Sequence, residues 1–178
     1  MDTTLTSKYQ ISEALINEYN VLSKRFPEGK HKSTLLRMLH LVQEENNGWL
    51  SVPAMDAIAD LLKINQIEVY EVATFYTMYN LEPVGKFVLE FCHTGPCAAV
   101  GVEQIIAYTK RKLGIETGQT TSDNMFTIKE VECLGACGYG PMMQVGQYFH
   151  ERLTEEKIDQ FIEDCRLGKI DKGTWKLK

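Results

Sequence analysis

Three features that the sequence lacks narrow the class of protein. Lysine and arginine number 19 against 24 aspartates and glutamates, so the net charge is -5 and there is no basic excess for binding nucleic acid. No apolar run approaches the roughly 20 residues needed to span a bilayer. The opening Met1-Asp2-Thr3-Thr4 begins neither a signal peptide nor an Arg-rich transit segment. We therefore expect a soluble, cytoplasmic protein.

Cysteine is absent from the first 91 residues, and the whole chain contains only five. An odd number confined to one half of the chain argues against a secreted disulfide framework and for a local metal or redox site. The chain also lacks a glycine-rich dinucleotide-binding fingerprint between a predicted strand and a predicted helix. We expect it to bind no nucleotide itself.

Residues 1–82 show helical periodicity and few glycines, which predicts an N-terminal helical bundle. Four apolar stripes are separated by turn and capping signals. Ser51 before Pro53 is typical of a helix start, and Asn65 with Glu68 resembles a capping box. The predicted stripes contain Ile11, Leu15, Tyr19 and Leu22; Leu35, Leu36, Leu39 and Val42; Met55, Ile58, Ala59 and Leu62; and Ile67 to about Tyr79.

A change in composition at residues 81–85 begins a second predicted domain, 83–167. Its pattern predicts a strand, a helix capped by Gly114, a second strand, a short hairpin, and a last helix capped by Thr154. This β-α-β-β-β-α order is thioredoxin-like, so the fold class is α+β. Residues 168–178, with Trp175, are predicted to be a solvated polar arm. The strands are predicted at Phe87–Phe91, Phe126–Glu132, Pro141–Val145 and Gln147–Phe149.

Two close cysteine pairs follow the first two predicted strands. Cys92 and Cys97 enclose Gly95-Pro96, and Cys133 and Cys137 enclose Gly135, so each pair can turn tightly and present both sulfurs to one centre. If the intervening helix is a crossover, the two strands are parallel and both pairs lie at the same sheet edge. Each pair therefore resembles half of a four-sulfur site.

Four thiolates can hold zinc or an iron-sulfur cluster, and the spacing alone allows both. Zinc usually organises folds too small to bury a core, whereas this domain has enough strands and helices to form one. Gly135, Gly138 and Gly140 can also bring backbone amides close to sulfur atoms. These features favour a cluster. The alternative is a zinc-stabilised interaction domain.

Several stretches together resemble one family, the small peripheral-arm 2Fe-2S subunit of respiratory NADH:quinone oxidoreductase, or complex I. The resemblance runs from about residue 10 to residue 165. After the second cysteine pair, Tyr139-Gly140 stands where many members have Asn-Ala. The matching stretches are 71–79, 83–86, 92–97, 113–115, 118–121 and 130–137.

The resemblance implies a 2Fe-2S cluster bound by Cys92, Cys97, Cys133 and Cys137. It also implies a flavoprotein partner that holds FMN and the NADH site, other peripheral-arm subunits, and a place on the inner face of the membrane through the complex. That face is the mitochondrial matrix side in a eukaryote. The chain alone would not be catalytic. Related modules serve NAD-linked hydrogenases and formate dehydrogenases, which is the alternative assembly.

Of the remaining candidate residues, two are expected to lie outside the site, and four aromatic residues have two alternative roles. His93 is expected to point away from the sulfurs, because adjacent side chains at a strand end alternate. Cys165 falls on a predicted helix face with Ile158, Phe161 and Ile162, which predicts a buried thiol outside the site. Four aromatic residues could form either a partner-facing patch or part of the core; they are Tyr70, Phe75, Tyr76 and Tyr79.

Overall fold

The computed structural model describes residues 9–174. These residues divide into two compact units, one ending at Pro83 and the other spanning Val84–Thr174. The domain boundaries at residues 82/83 and 167/168 stay predictions. No helix in the described part is both long and apolar enough to cross a membrane.

The first unit contains four helices, as the apolar stripes predict. Helix α1 is capped by Ser12, α3 by Ser51 and α4 by a capping box of Asn65 and Glu68, and their apolar faces form one core. After α2, Asn47 and Gly48 adopt positive φ, which ends that helix. The helices are α1 (Glu13–Ser23), α2 (Leu35–Glu45), α3 (Val52–Leu62) and α4 (Gln66–Phe75), and a 3-10 turn at His31–Thr34 precedes α2.

Helix α4 is shorter than its sequence pattern predicts. It ends at Phe75, because Tyr76 adopts an extended backbone, and the predicted end at Tyr79 is wrong. The chain instead turns so that Tyr79 is buried and donates a hydrogen bond to the Leu36 carbonyl at 2.8 Å. Phe75, by contrast, is 76% exposed. The aromatic residues therefore form neither a wholly buried group nor a wholly exposed patch.

The second unit is a mixed four-stranded sheet with helices, the predicted thioredoxin-like arrangement. The strand order is β2-β1-β3-β4, with β1 and β2 parallel and the other neighbours antiparallel. The strands are β1 (Phe87–Cys92), β2 (Phe126–Val131), β3 (Met143–Val145) and β4 (Tyr148–His150). The helices are α5 (Gly95–Ala99), α6 (Val102–Leu113) and α7 (Glu155–Arg166).

Helices α6 and α7 each bury an apolar face. Helix α6 buries Val102, Ile105 and Ile106, and Gly114 caps it at positive φ as predicted. Helix α7 starts after the Thr154 cap, and Cys165 lies on its buried face with 1% exposure. The prediction of a buried thiol at residue 165 is confirmed.

The chain after α7 is largely exposed, as a polar arm would be, but hydrogen bonds hold it to the second unit. The Lys172 carbonyl accepts a hydrogen bond from the Gln147 amide at 2.9 Å, and the Lys172 ammonium donates to the Lys86 carbonyl at 2.7 Å. Gly146 allows this approach, because a Cβ at that position would lie 2.1 Å from the Lys172 carbonyl oxygen. The segment up to Thr174 is thus exposed but attached to the domain by hydrogen bonds, and its assignment as a separate arm stays a prediction. Trp175 lies outside the described residues.

Candidate metal centre

Strands β1 and β2 bring the two cysteine pairs to one edge of the sheet. The strands are parallel and in register from Phe87 opposite Phe126 to Cys92 opposite Val131. Cys92 is the last residue of β1, and Cys133 follows β2 by two residues. The predicted placement of both pairs at the carboxyl ends of neighbouring parallel strands is therefore confirmed.

Within each pair, the two thiols lie close together. The Cys133 and Cys137 sulfurs are 4.0 Å apart, and the Cys92 and Cys97 thiols share a hydrogen bond. The two pairs are also near enough for their charges to interact, since the charge of Cys137 acts on Cys97 and that of Cys92 acts on Cys137. All four thiols thus occupy one region of the molecule.

The two pairs differ in their access to solvent. Cys92 and Cys97 are buried, at 2% and 1% exposure, whereas Cys133 and Cys137 are exposed. Helix α5 provides the burial of Cys97, which lies within its single turn. One side of the site is therefore part of the protein core, and the other side faces outward.

Hydrogen-bond donors surround Cys92 in particular. Burial alone would raise the pKa of this thiol, but hydrogen bonds from the Thr94 hydroxyl and from the Leu134 and Thr94 amides lower it below its ordinary value. The Thr94 oxygen lies 3.4 Å from the Cys92 sulfur. The protein therefore stabilises a negative charge on Cys92.

Cys97 and Cys137 have less support for a negative charge. Burial first, and then the hydrogen bond and charge of Cys92, raise the pKa of Cys97 to about 11. The hydrogen bond and charge of Cys133 raise the pKa of Cys137. Crowded thiols with raised pKa values need a cation to hold them all as thiolates, because the negative charges repel one another.

Glycine backbones approach two of the sulfurs, as the sequence predicts for two of its three loop glycines. The Gly135 amide donates to the Cys133 sulfur at 3.4 Å. Gly140 packs against the first pair, since a Cβ there would lie 3.3 Å from the Cys97 sulfur. Gly138 has no neighbour within 4 Å of the position of a Cβ.

The chemistry of the donor set fits a binuclear iron-sulfur centre. Among residues 9–174, no three His, Cys, Asp or Glu side chains converge closely enough to hold a single metal ion. Two pairs of thiols at one sheet edge match the ligands of a 2Fe-2S cluster, which takes four cysteine thiolates, two on each iron.

His93 lies beside the site without facing it. Its imidazole is half-exposed and lies 4.0 Å from the Glu132 carboxylate.

Three residues that contact the buried cysteines were not predicted from the sequence, namely Thr94, Leu134 and Met142. The Met142 amide donates to the Cys97 thiol and its carbonyl accepts from the Cys92 amide at 3.2 Å. A threonine between two paired cysteines was a visible signal, whereas the backbone contacts of Leu134 and Met142 depend on the fold.

Fold and site together define a class, that of thioredoxin-like domains with paired thiols at the edge of the sheet. The family model of the thioredoxin-like 2Fe-2S ferredoxins matches residues 19–166, which is most of the chain. The chain belongs to the thioredoxin-like 2Fe-2S ferredoxin family.

Relatives named as components of respiratory enzymes are similar over nearly the whole chain. The E subunit of NADH-quinone oxidoreductase from Rickettsia bellii is 41% identical over 166 residues, covering 93% of this chain and 99% of that protein. Its counterpart from Rickettsia felis is 38% identical over 160 residues, covering 90% and 96%. The mitochondrial NADH dehydrogenase (ubiquinone) flavoprotein 2 of Dictyostelium discoideum is 40% identical over 160 residues, which cover 90% of this chain and 64% of that protein.

A solved structure shares the fold. The crystal structure of an air-oxidized NAD+-reducing NiFe-hydrogenase superposes with a TM-score of 0.63 at 19% identity. The match covers 75% of this chain, but this chain spans only 24% of that larger chain. At this identity the likeness concerns the fold alone.

Proposed function

We propose that this chain binds one 2Fe-2S cluster through Cys92, Cys97, Cys133 and Cys137 and serves as an electron-transfer subunit. The observation that carries the proposal is the placement of both cysteine pairs at the carboxyl ends of the parallel strands β1 and β2. A bound 2Fe-2S cluster accepts and returns one electron at a time. In this proposal the side chains hold the cluster and do not make or break covalent bonds of a substrate.

The protein's own residues would hold the four sulfurs and control access to them. The buried pair anchors one side in the core, and the exposed Cys133 and Cys137 leave the other side open to a partner's redox group. Backbone and hydroxyl donors at Cys92 and Cys133 stabilise negative charge on sulfur. These contacts favour a bound, charged cluster over four free thiols.

The proposed assembly is NADH:quinone oxidoreductase, in which a flavoprotein subunit supplies FMN and the NADH site. The similarity to components of that enzyme, about 40% identity over almost the full length, supports this assembly. An NAD-linked hydrogenase or formate dehydrogenase is the alternative. The likeness to the hydrogenase, at 19% identity, concerns the fold alone and does not bear on the choice between these assemblies. Through such a complex the chain would lie at the membrane surface without entering the bilayer.

Stopped-flow reduction by NADH tests the role in the complex. The anaerobically purified chain is mixed with NADH alone and with NADH plus the FMN-loaded flavoprotein subunit of the same organism, and cluster reduction is followed by absorbance and EPR. We expect reduction only with the flavoprotein present. Rapid reduction of the flavin-free chain by NADH would contradict the proposal. The subunits that co-purify with the native chain distinguish a quinone oxidoreductase from a hydrogenase or formate dehydrogenase.

A further inference from the structure

Thr94 lies between the two buried cysteines, and its side chain contacts one of them. Its hydroxyl oxygen is 3.4 Å from the Cys92 sulfur, within the longer range of hydrogen bonds to sulfur. Cys92 is 2% exposed, so the bulk solvent does not supply this contact. The hydroxyl is therefore a donor that the protein itself places at the sulfur.

The backbone around Thr94 shows that the hydroxyl is directed at Cys92. Thr94 occupies the N-cap position of α5, where a threonine normally accepts a hydrogen bond from the helix backbone, but its hydroxyl makes no cap bond. Thr154 at the start of α7 does make one, from the Lys157 amide. Meanwhile the Thr94 carbonyl accepts from the Cys97 amide at 2.9 Å. One residue thus contacts the Cys92 sulfur and fixes the backbone of Cys97.

The direction of this hydrogen bond follows from the chemistry of an iron-bound cysteine. A thiolate ligand carries no proton, so only the Thr94 hydroxyl can donate. A donor at a ligand sulfur stabilises the added negative charge of the reduced cluster more than the smaller charge of the oxidised one. Loss of the donor should therefore make the reduction potential more negative.

We propose that Thr94 is a positioning residue that raises the reduction potential of the cluster by donating its hydroxyl hydrogen bond to Cys92. This inference rests on the proposed function, since it requires the bound cluster. It concerns the side-chain hydroxyl alone, because the backbone amides of Thr94 and Leu134 also donate to Cys92 and remain in every variant.

The test compares three variants of the full chain with the wild type. Thr94→Val removes the hydroxyl at nearly constant shape, and Thr94→Ser keeps it. Thr109→Val is the matched control, because the buried Thr109 hydroxyl donates to the Ile105 carbonyl within α6. Iron and sulfide content, the EPR spectrum of the reduced cluster and its midpoint potential in an anaerobic redox titration are measured for each protein.

We expect a full cluster in all four proteins, with a more negative midpoint potential in Thr94→Val only and a near wild-type value in Thr94→Ser. An unchanged potential in Thr94→Val with a full cluster would overturn the inference and leave the proposed function standing. Absence of a cluster from the wild type would overturn the proposed function itself.

A second substitution covers the case in which Thr94→Val fails to hold the cluster for reasons of shape. Thr94→Ala also removes the hydroxyl but leaves more space. If it holds a cluster, a midpoint potential more negative than that of the wild type supports the inference, and an unchanged midpoint potential overturns it. If neither variant holds a cluster while Thr94→Ser does, the hydroxyl is needed for assembly rather than for the potential, and the inference is overturned.

Discussion

The backbone of Gly85 lies directly against the backbone of Phe126. A Cβ at residue 85 would be 2.8 Å from both the Phe126 nitrogen and its carbonyl carbon, closer than real Cβ atoms approach. The Gly85 amide donates to the Thr127 hydroxyl at 2.7 Å at the same place. This contact sets the start of the β1–β2 pair, and the other end of that pair carries the cysteines.

Gly85→Ala should therefore destabilise the protein strongly. The obstacle is the backbone of a strand, which cannot rotate away as a side chain can, so we expect a loss of about 3 kcal/mol in the free energy of unfolding. Urea unfolding measures it. Gly95→Ala is the matched control, since a Cβ there meets no atom within 4 Å. Equal stability of the two variants would contradict the contact.

Cys165 should be a structural residue only. Its thiol is buried on α7, and burial raises its pKa to about 12, so it remains protonated and apolar. Cys165→Ser should cost about 1–3 kcal/mol, because a hydroxyl is then buried in an apolar core. Cys165→Ala buries no polar atom. It should cost less than Cys165→Ser if burial of the serine hydroxyl costs more than the loss of the sulfur atom's packing. Thermal unfolding measures both, and an altered EPR line shape in either variant would show that Cys165 contacts the cluster.

Protonation of His40 should make the protein less stable in mild acid. Burial, and then the nearby Arg37 charge, lower the pKa of His40 to about 4, whereas a histidine in the unfolded chain titrates near 6.5. The folded state thus binds the proton more weakly, so the stability is full above about pH 6.5 and is lost as the pH falls towards 4. Because the ring is only partly buried, we expect a loss on the order of 1 kcal/mol between pH 7 and pH 5.

His40→Phe is the control for this pH dependence. The ring of His40 packs on Tyr79 with the ring centroids 5.0 Å apart, and phenylalanine can keep that contact without titrating. The difference in unfolding free energy between the wild type and His40→Phe, measured in urea at pH 7 and pH 5, removes the contribution of all other groups. A difference that does not change with pH would contradict the assignment.

The site could be predicted from local signals because its parts are local. A strand pattern that runs into Cys92 and another that runs towards Cys133, with a helix between them, are enough to predict that both pairs meet at one sheet edge. Gly135 likewise needs only the turn rule, since it adopts a φ of 77° between its two cysteines. These inferences require no knowledge of distant contacts.

The features that could not be predicted depend on distant contacts. The apolar period of α4 continues past Phe75, and only the burial of Tyr79 against the backbone of Leu36 turns the chain there. The segment around Lys172 is polar and resembles a free tail, yet its backbone pairs with Gln147. The Met142 backbone reaches both buried cysteines because β3 lies beside β1. Such contacts leave no periodic pattern in the sequence.

The identity of the bound metal tests the central claim most directly. The native chain, its Cys133→Ser variant and its Cys165→Ser variant are purified anaerobically, and iron, acid-labile sulfide and zinc are determined together with the EPR spectrum after reduction. The account predicts about two irons and two sulfides per chain, with a one-electron EPR signal, in the native chain and in Cys165→Ser. Cys133→Ser should lose the cluster or change its spectrum, because a hydroxyl is a poor ligand for iron. Stoichiometric zinc without labile sulfide, or an unchanged spectrum in Cys133→Ser, would contradict it.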